Sequence, residues 1–149
     1  MDEPPFGSEM SVDTDYVLGT HDAEISRLHL QHGIWQSLVR DCWNRAGIKP
    51  GQHVIDIGCG PGFASRDRAD AVGPTGRVTG FERSERFIAY ADALCRQANH
   101  VNVSFRKADV MLDELEVHDA DAIWCRWLAI FVSDPAMLVR KMAAAIKPG

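Results

Sequence analysis

The stretch His53-Val54-Ile55-Asp56-Ile57-Gly58-Cys59-Gly60-Pro61-Gly62-Phe63 constrains this chain more than any other. Five mostly apolar, β-favouring residues run into three glycines at alternate positions. That pattern predicts a buried strand, a tight turn and the first turn of a helix. Glycine lets a backbone come close to a bulky group. The helix N-terminus that follows is expected to offer free N–H groups and the positive end of a dipole. Asp56 stands near the carboxyl end of the strand. In outline this is a nucleotide-type cofactor site.

A dinucleotide fingerprint requires a third small residue after two intervening positions. That position is Phe63, so the NAD pattern fails at its third glycine. The spacing present is Asp-x-Gly-x-Gly-x-Gly. Pro61 also removes one N–H that a pyrophosphate would use. On these residues, 54–62 resembles motif I of the class I S-adenosylmethionine-dependent methyltransferases. The resemblance implies S-adenosyl-L-methionine as the cofactor, held in part by Asp56, Gly58, Cys59, Gly60 and Gly62. An NAD-dependent oxidoreductase is the disfavoured alternative.

Charge and cysteine usage narrow the class. Of 149 residues 16 are basic and 21 acidic, a net charge of −5. An acidic chain without a basic block is a poor partner for nucleic acid. No apolar run approaches a membrane span, and the acidic N-terminus has the wrong sign for a signal peptide. A cytoplasmic location is therefore expected. Cys42, Cys59, Cys95 and Cys125 are widely spaced, with no Cys-x-x-Cys. They read as small buried apolar residues, not as metal ligands or a disulfide frame.

Residues 1–15 carry two prolines and several acids and read as a flexible arm. From Ile25 the apolar positions Ile25, Leu28, Trp35, Val39, Cys42 and Ala46 follow helical spacing, with a gap at His32. One amphipathic helix, or two broken near Gly33, is expected, capped by Thr20 or Asp22. His32 falls on the buried seam, as a hydrogen-bonded interior histidine in preference to a base. His29 and His32 lack a third ligand, so no metal is expected. Tyr16, Gly19, Thr20, Arg27, Leu28 and Gln31 are similar to a segment that precedes motif I in the family. The resemblance implies that 16–50 form a helical lid over the cofactor, with Tyr16 and Gln31 among its contacts, and that 51–149 form the cofactor-binding core.

The next helix, over 61–72, is expected to lay Ala64, Ala71 and Val72 on the sheet. Arg68 shares that face, where an apolar residue belongs; it either snorkels to the edge or weakens the packing. Residues 77–82 read as the second strand, ending on Glu82 about 20 residues past the glycine turn, the spacing that puts a carboxylate on a ribose. A vicinal diol donates two hydrogen bonds and a carboxylate accepts both. Ser84 caps a helix with Phe87, Ile88, Ala91, Leu94, Cys95 and Ala98 inward and Asn99 at its end. A strand over about 101–107 delivers Asp109 and Val110. These resemble the motif in which an aspartate accepts from the adenine amino group and a backbone N–H meets a ring nitrogen. Arg83 would cover the adenine face.

The fourth strand, 121–125, precedes residues 126–135, which resemble the family's motif IV. The resemblance implies Arg126 in the cofactor site. Trp127 or Phe131 would line the pocket around the sulfonium, where a π face favours a cation. Phe131 stands where relatives often carry a histidine, so no base is expected from this loop. His21 and His32 are the only candidate bases. Asp134 and Pro135 begin a last helix with Leu138, Met142, Ala145 and Ile146 inward.

Strands alternating with helices predict an α/β fold with a parallel sheet and helices on both faces; the resemblance implies a Rossmann-like sheet of order 3-2-1-4. The family's whole fold has seven strands, 3-2-1-4-5-7-6, so the resemblance covers its first part and lacks strands five to seven. Strand four is then an exposed edge, expected to self-associate or to dock a partner. The expected function is S-adenosylmethionine-dependent methyl transfer to a small-molecule acceptor. The alternative is a non-catalytic module that binds S-adenosylmethionine or S-adenosylhomocysteine.

Overall fold

The computed structural model describes residues 19–148; the arm expected at 1–15, and Tyr16, lie outside them. Strand β1 (His53–Ile57) is buried at every position. It pairs in parallel with β2 (Arg77–Glu82) on one side and with β4 (Ala122–Cys125) on the other. Strand β3 (Val103–Lys107) adds outside β2, giving the order β3-β2-β1-β4 that the family resemblance implies. A central parallel strand has both faces covered, which is why its sequence is a nearly continuous apolar run.

Side chains alternate across the sheet. Ile55 and Ile57 turn to one face, where they pack with Leu115, Val117, Leu138 and Ala145. Val54 turns to the other, against Ala69 and Val72 of α2 (Phe63–Val72). Asp56 shares that second face, so its carboxylate must meet α2. The strand order reverses between β1 and β4, and a crevice opens beyond their carboxyl ends.

The helix starts follow local chemistry. Ser84 Oγ accepts from the Phe87 N–H at 3.3 Å and starts α3 (Glu85–Gln97). Asp134 Oδ1 accepts from the Met137 N–H at 2.8 Å and starts α4 (Pro135–Ala145). Asn99, just past α3, takes the left-handed conformation with φ 59°. In α3, Phe87, Ala91 and Cys95 are buried and Ile88 and Leu94 half-buried, but Ala98 is exposed.

Several expectations give way. Helix α1 (Asp22–Arg45) runs unbroken through Gly33, and its N-cap is His21, with no side-chain bond from Thr20 or Asp22. Its buried line is Ile25, His32, Val39 and then Trp43, while Cys42 and Ala46 are exposed and Trp35 is 39% exposed. The last turn is set by the Trp43 ring, which has a partner beneath it described below. Cys42 is thus not a buried cysteine, and Cys125 is half-buried. Arg68 neither snorkels nor loosens α2; it is fully buried. Ile146 lies beyond α4, 43% exposed, and bridges in parallel to Ala120 beside the start of β4. Among the described residues, β4 has no second neighbour along Ala122–Cys125. No described helix is long and apolar enough to cross a membrane.

Gly62, at the start of α2, has φ 81°, and a Cβ there would stand 2.6 Å from Ala91 Cβ. Gly62→Ala should combine left-handed strain with overpacking, a loss of about 2–4 kcal/mol in all. Urea unfolding should show the midpoint fall; an unchanged midpoint would remove this contact from the account of the fold.

Candidate cofactor site

A hollow of about 570 Å³ lies beyond the carboxyl ends of β1 and β4. Its floor is the glycine turn and Asp56. Glu82, Arg83, Asp109 and Val110 form one wall, Gln31 of α1 reaches in from above, and Arg126 closes the β4 side. Gly58, Cys59 and Gly60 line it too. Of the residues singled out in the sequence, Gly62 does not: it faces Ala91 and Phe105.

The turn does not offer its N–H groups to the hollow. The Gly58 and Cys59 N–H groups donate to Phe81 O at 2.8 and 3.1 Å. Gly60 N–H donates to Glu82 Oε2 at 2.9 Å, Gly62 N–H to Cys59 O at 3.1 Å, and Pro61 has none. These bonds belong to the turn; the free N–H groups expected from the sequence are those of the helix N-terminus that follows it. The backbone still comes close: Gly60 has φ 54°, and a Cβ there would meet nothing within 4 Å, so it would project into open space.

Glu82 is 4% exposed and accepts from three backbone N–H groups: Gly60 on Oε2, and Arg83 and Ser84 on Oε1. Burial pushes its carboxyl up from the ordinary value, against those three donors. Asp109 Oδ1 accepts from the Met111 N–H at 2.9 Å, and its Oδ2 lies 3.9 Å from Arg83 Nη1. Asp56 Oδ2 accepts from Ser65 Oγ at 2.6 Å and pairs with Arg68 Nη1 at 2.7 Å. Burial lowers the Arg68 guanidinium, and the Asp56 charge opposes that.

Behind the β4 wall lies a second polar chain. His32 Nε2 is 3.1 Å from Asp67 Oδ2, and its Nδ1 is 3.2 Å from Arg126 Nη2. A guanidinium only donates, so Nδ1 accepts and the ring proton sits on Nε2. His32 is 2% exposed and does not line the hollow, so it is not a base for chemistry there. Burial alone would raise Asp67. Hydrogen bonds from His32, Gln36 and Arg66 outweigh it and hold the carboxyl well below the usual range.

Sequence reasoning missed Glu24 and Trp124, and named Arg27 only within the lid segment. Glu24 and Arg27 form a bidentate pair, at 2.6 and 2.7 Å, on the wall of the hollow. Their spacing of three on a helix face was the available signal. Trp124 lines the wall from β4 and had no distinguishing signal. At the rim, Trp127 is 46% and Phe131 52% exposed, with Trp127 at φ 66° and edge-on to Trp35. Among the described residues, no cluster of three or more His, Cys, Asp or Glu could hold a metal ion.

The methyltransferase domain family matches residues 54–149. The chain belongs to this family, the S-adenosylmethionine-dependent methyltransferases, and carries the first four strands of their Rossmann-like fold. It is 31% identical over 136 residues to a ubiquinone biosynthesis O-methyltransferase of Coxiella burnetii, covering 77% of this chain and 56% of that one. It is 25% identical over 119 residues to a demethylmenaquinone methyltransferase of Lactococcus lactis, covering 80% and 46%. The chain thus spans about half the length of these relatives. The crystal structure of a S-adenosylmethionine-dependent methyltransferase from Aquifex aeolicus shares the fold, with a TM-score of 0.67 at 24% identity over 73% of this chain and 58% of that one.

The residues present fit the family's cofactor. The Gly60 backbone leaves room where a side chain would intrude, and Asp56, Glu82 and Asp109 line one hollow, with Glu24 paired to Arg27.

The Asp67 shift has a testable sign. A carboxyl held low in the folded state contributes stability above its unfolded value, about pH 4, and that contribution is lost as pH falls below it. Asp67→Asn should cost about 2–3 kcal/mol at pH 7. The gap to the parent should narrow in unfolding curves taken from pH 5 downward. A gap constant with pH would mean that the charge of Asp67 contributes nothing.

Proposed function

We propose that this chain binds S-adenosyl-L-methionine in the hollow and serves methyl transfer to a small apolar acceptor. The observation that carries the reading is where the acceptors stand, each at or just beyond the end of a different strand. Asp56, Glu82 and Asp109, all acceptors, share one cavity, while the turn's N–H groups point away from it. A pyrophosphate would need the amide donors of the turn. S-adenosylmethionine presents the opposite set: an α-ammonium, a vicinal diol, an adenine amino group and a positive sulfonium.

On this reading Asp56 and the Gly58–Cys59–Gly60 turn receive the amino-acid end. Glu82, already fixed by three N–H groups, has acceptor capacity left for the ribose diol. Asp109 and the Val110 backbone receive the base, and Arg83 lies over it. Arg126 adds positive charge at the edge of the amino-acid site. Gln31, with Glu24, Arg27 and Leu28, supports a lid role for the 16–50 segment, since all four reach the hollow from α1.

The cofactor supplies a methyl group already activated by the adjoining positive sulfur. The chain's own work is orientation: three anchored ends fix the line along which an acceptor approaches. Trp127 and Phe131 offer aromatic faces at the rim, which favour a cation and exclude water. No described histidine lines the hollow, and we assign no general base; one is needed only where the acceptor's proton leaves early. The matched relatives are methyltransferases of ubiquinone biosynthesis and of demethylmenaquinone. An apolar rim of Trp127, Ile130 and Phe131 suits acceptors of that ring-bearing kind. The four free cysteines suit a reducing, cytoplasmic setting.

Calorimetry should show S-adenosylhomocysteine binding and no NAD binding. Glu82→Gln turns an amide N–H against one of the backbone donors and should weaken the homocysteine ligand about tenfold. NAD binding, or an unchanged Kd in the variant, would overturn the reading. We also infer that this chain by itself associates with a second copy through the open edge of β4. Size-exclusion chromatography should then give an apparent mass above the monomer's; a concentration-independent monomer would end that inference.

A further inference from the structure

The most expensive side chain in the molecule lies outside the hollow, and folding does not explain it. Arg68 is 0% exposed, in the middle of α2, among positions that otherwise carry Ala69 and Val72. Its Cζ is 4.5 Å from the centroid of Trp43 on α1 and 4.9 Å from that of Trp124 on β4. The two indoles meet edge to face at 5.6 Å. Apart from the close approach of Nη1 to Asp56, the guanidinium nitrogens have no well-aligned hydrogen-bond partner. Replacing a buried ion pair by apolar residues of similar volume is often neutral or stabilising. A guanidinium here therefore needs another reason.

The reason is visible at Asp56. Both of its short contacts, from Ser65 Oγ and Arg68 Nη1, fall on Oδ2. Asp56 nonetheless lines the hollow. Oδ1, which takes neither contact, is the oxygen left for a ligand. Trp124 shares in the arrangement: it stacks on Arg68 and also forms part of the wall.

Building on the reading of the hollow as an S-adenosylmethionine site, we propose that Arg68 is a positioning residue for the amino-acid end of the cofactor. It grips Asp56 by Oδ2 from the α2 side, so that Oδ1 stays turned toward the ligand's α-ammonium. Trp43 and Trp124 hold the guanidinium in that place. A planar, delocalised cation suits a slot between two rings, and a lysine ammonium does not. Arg68 itself does not line the hollow and touches no ligand. It acts on the ligand through Asp56, which serves one end of the cofactor.

Two ligands separate this from general destabilisation. S-adenosylhomocysteine carries the amino-acid end; 5′-methylthioadenosine has the same adenosine and thioether but lacks it. In calorimetry on the whole chain, Arg68→Met should weaken S-adenosylhomocysteine about tenfold, the loss of one charge-assisted contact, and leave methylthioadenosine unchanged. Arg68→Lys keeps the charge without the fork and should give an intermediate loss, again for S-adenosylhomocysteine alone. Should Arg68→Met fail to fold, the Lys variant carries the same test. Equal weakening of both ligands, or no weakening of either, overturns the proposal. The parent chain gives the separate result: if it binds neither ligand, the reading of the hollow falls, and this inference falls with it.

Discussion

The Glu82 carboxylate ties together the two loops between which the hollow forms. Gly60 belongs to the turn after β1, and Arg83 and Ser84 to the turn after β2, yet all three N–H groups converge on one side chain. Two adjacent parallel strands end there, and their outgoing turns would otherwise point donors at one another. A buried anion with three charge-assisted hydrogen bonds resolves that, and the bonds offset part of its desolvation. The consequence spreads. Ser84 gives its N–H to Glu82 and its Oγ to Phe87, so the residue that completes the staple also starts α3. One carboxylate thus fixes the glycine turn, the wall beside it and the helix that follows.

That staple also decides what the turn can hold. A strand, a glycine-rich turn and a helix are common to dinucleotide and adenosyl-sulfonium sites, so the glycines alone do not choose between them. The choice lies in where the amides go. Here Phe81 O takes two, Glu82 takes one and Cys59 O takes another, so the anion cradle of a pyrophosphate is missing from the turn. Phe63 completes the difference. It stands where a dinucleotide fold keeps a small residue for close packing. Here its ring stacks on His29 at 4.8 Å and meets Tyr90 edge-on at 5.9 Å. With Ile25 and Phe87 it forms a small core that fastens α1 over α2 and α3. A bulky residue at this position exchanges close helix–strand contact for an attached helix above the site.

The parts of the molecule legible in the sequence are those governed by local pattern. Strands β1 and β2 lie where the sequence places them, between the turn residues Gly51 and Gly58 and between Gly76 and Ser84. Alternating strands and helices led to the fold class, the motif I resemblance to the sheet order, and spacing to Glu82. What stayed hidden rests on partners far apart in the chain. Helical spacing allows either Cys42 or Trp43 to face inward, and only Arg68 beneath it decides. The anomaly of Arg68 on an apolar face was visible, but its counter-ion, Asp56, was already assigned to the cofactor. The pairing of His32 with Asp67 and Arg126 spans 35 and 94 residues and leaves no periodic trace. The three glycines looked equivalent, although Gly60 opens on the hollow and Gly62 is pressed against Ala91.

These long-range partners form a single layer between α1, α2 and β4: Asp56 with Arg68, and Asp67 with His32 and Arg126. The layer holds two carboxylates and two guanidinium groups, so its formal charge is zero, but the pairing is uneven. Asp67 takes His32, Gln36 and Arg66, with Arg40 at 3.6 Å. Arg126 hydrogen-bonds to neutral His32 and is balanced at longer range by Asp56 and Asp67. In a low-dielectric layer each charge is compensated by the set and not by one neighbour, so deletions within it are non-additive. Trp43 and His32 carry α1 into this layer, and Asp56 carries the floor of the hollow into it. The floor of the hollow and the docking of α1 therefore rest on the same few charges.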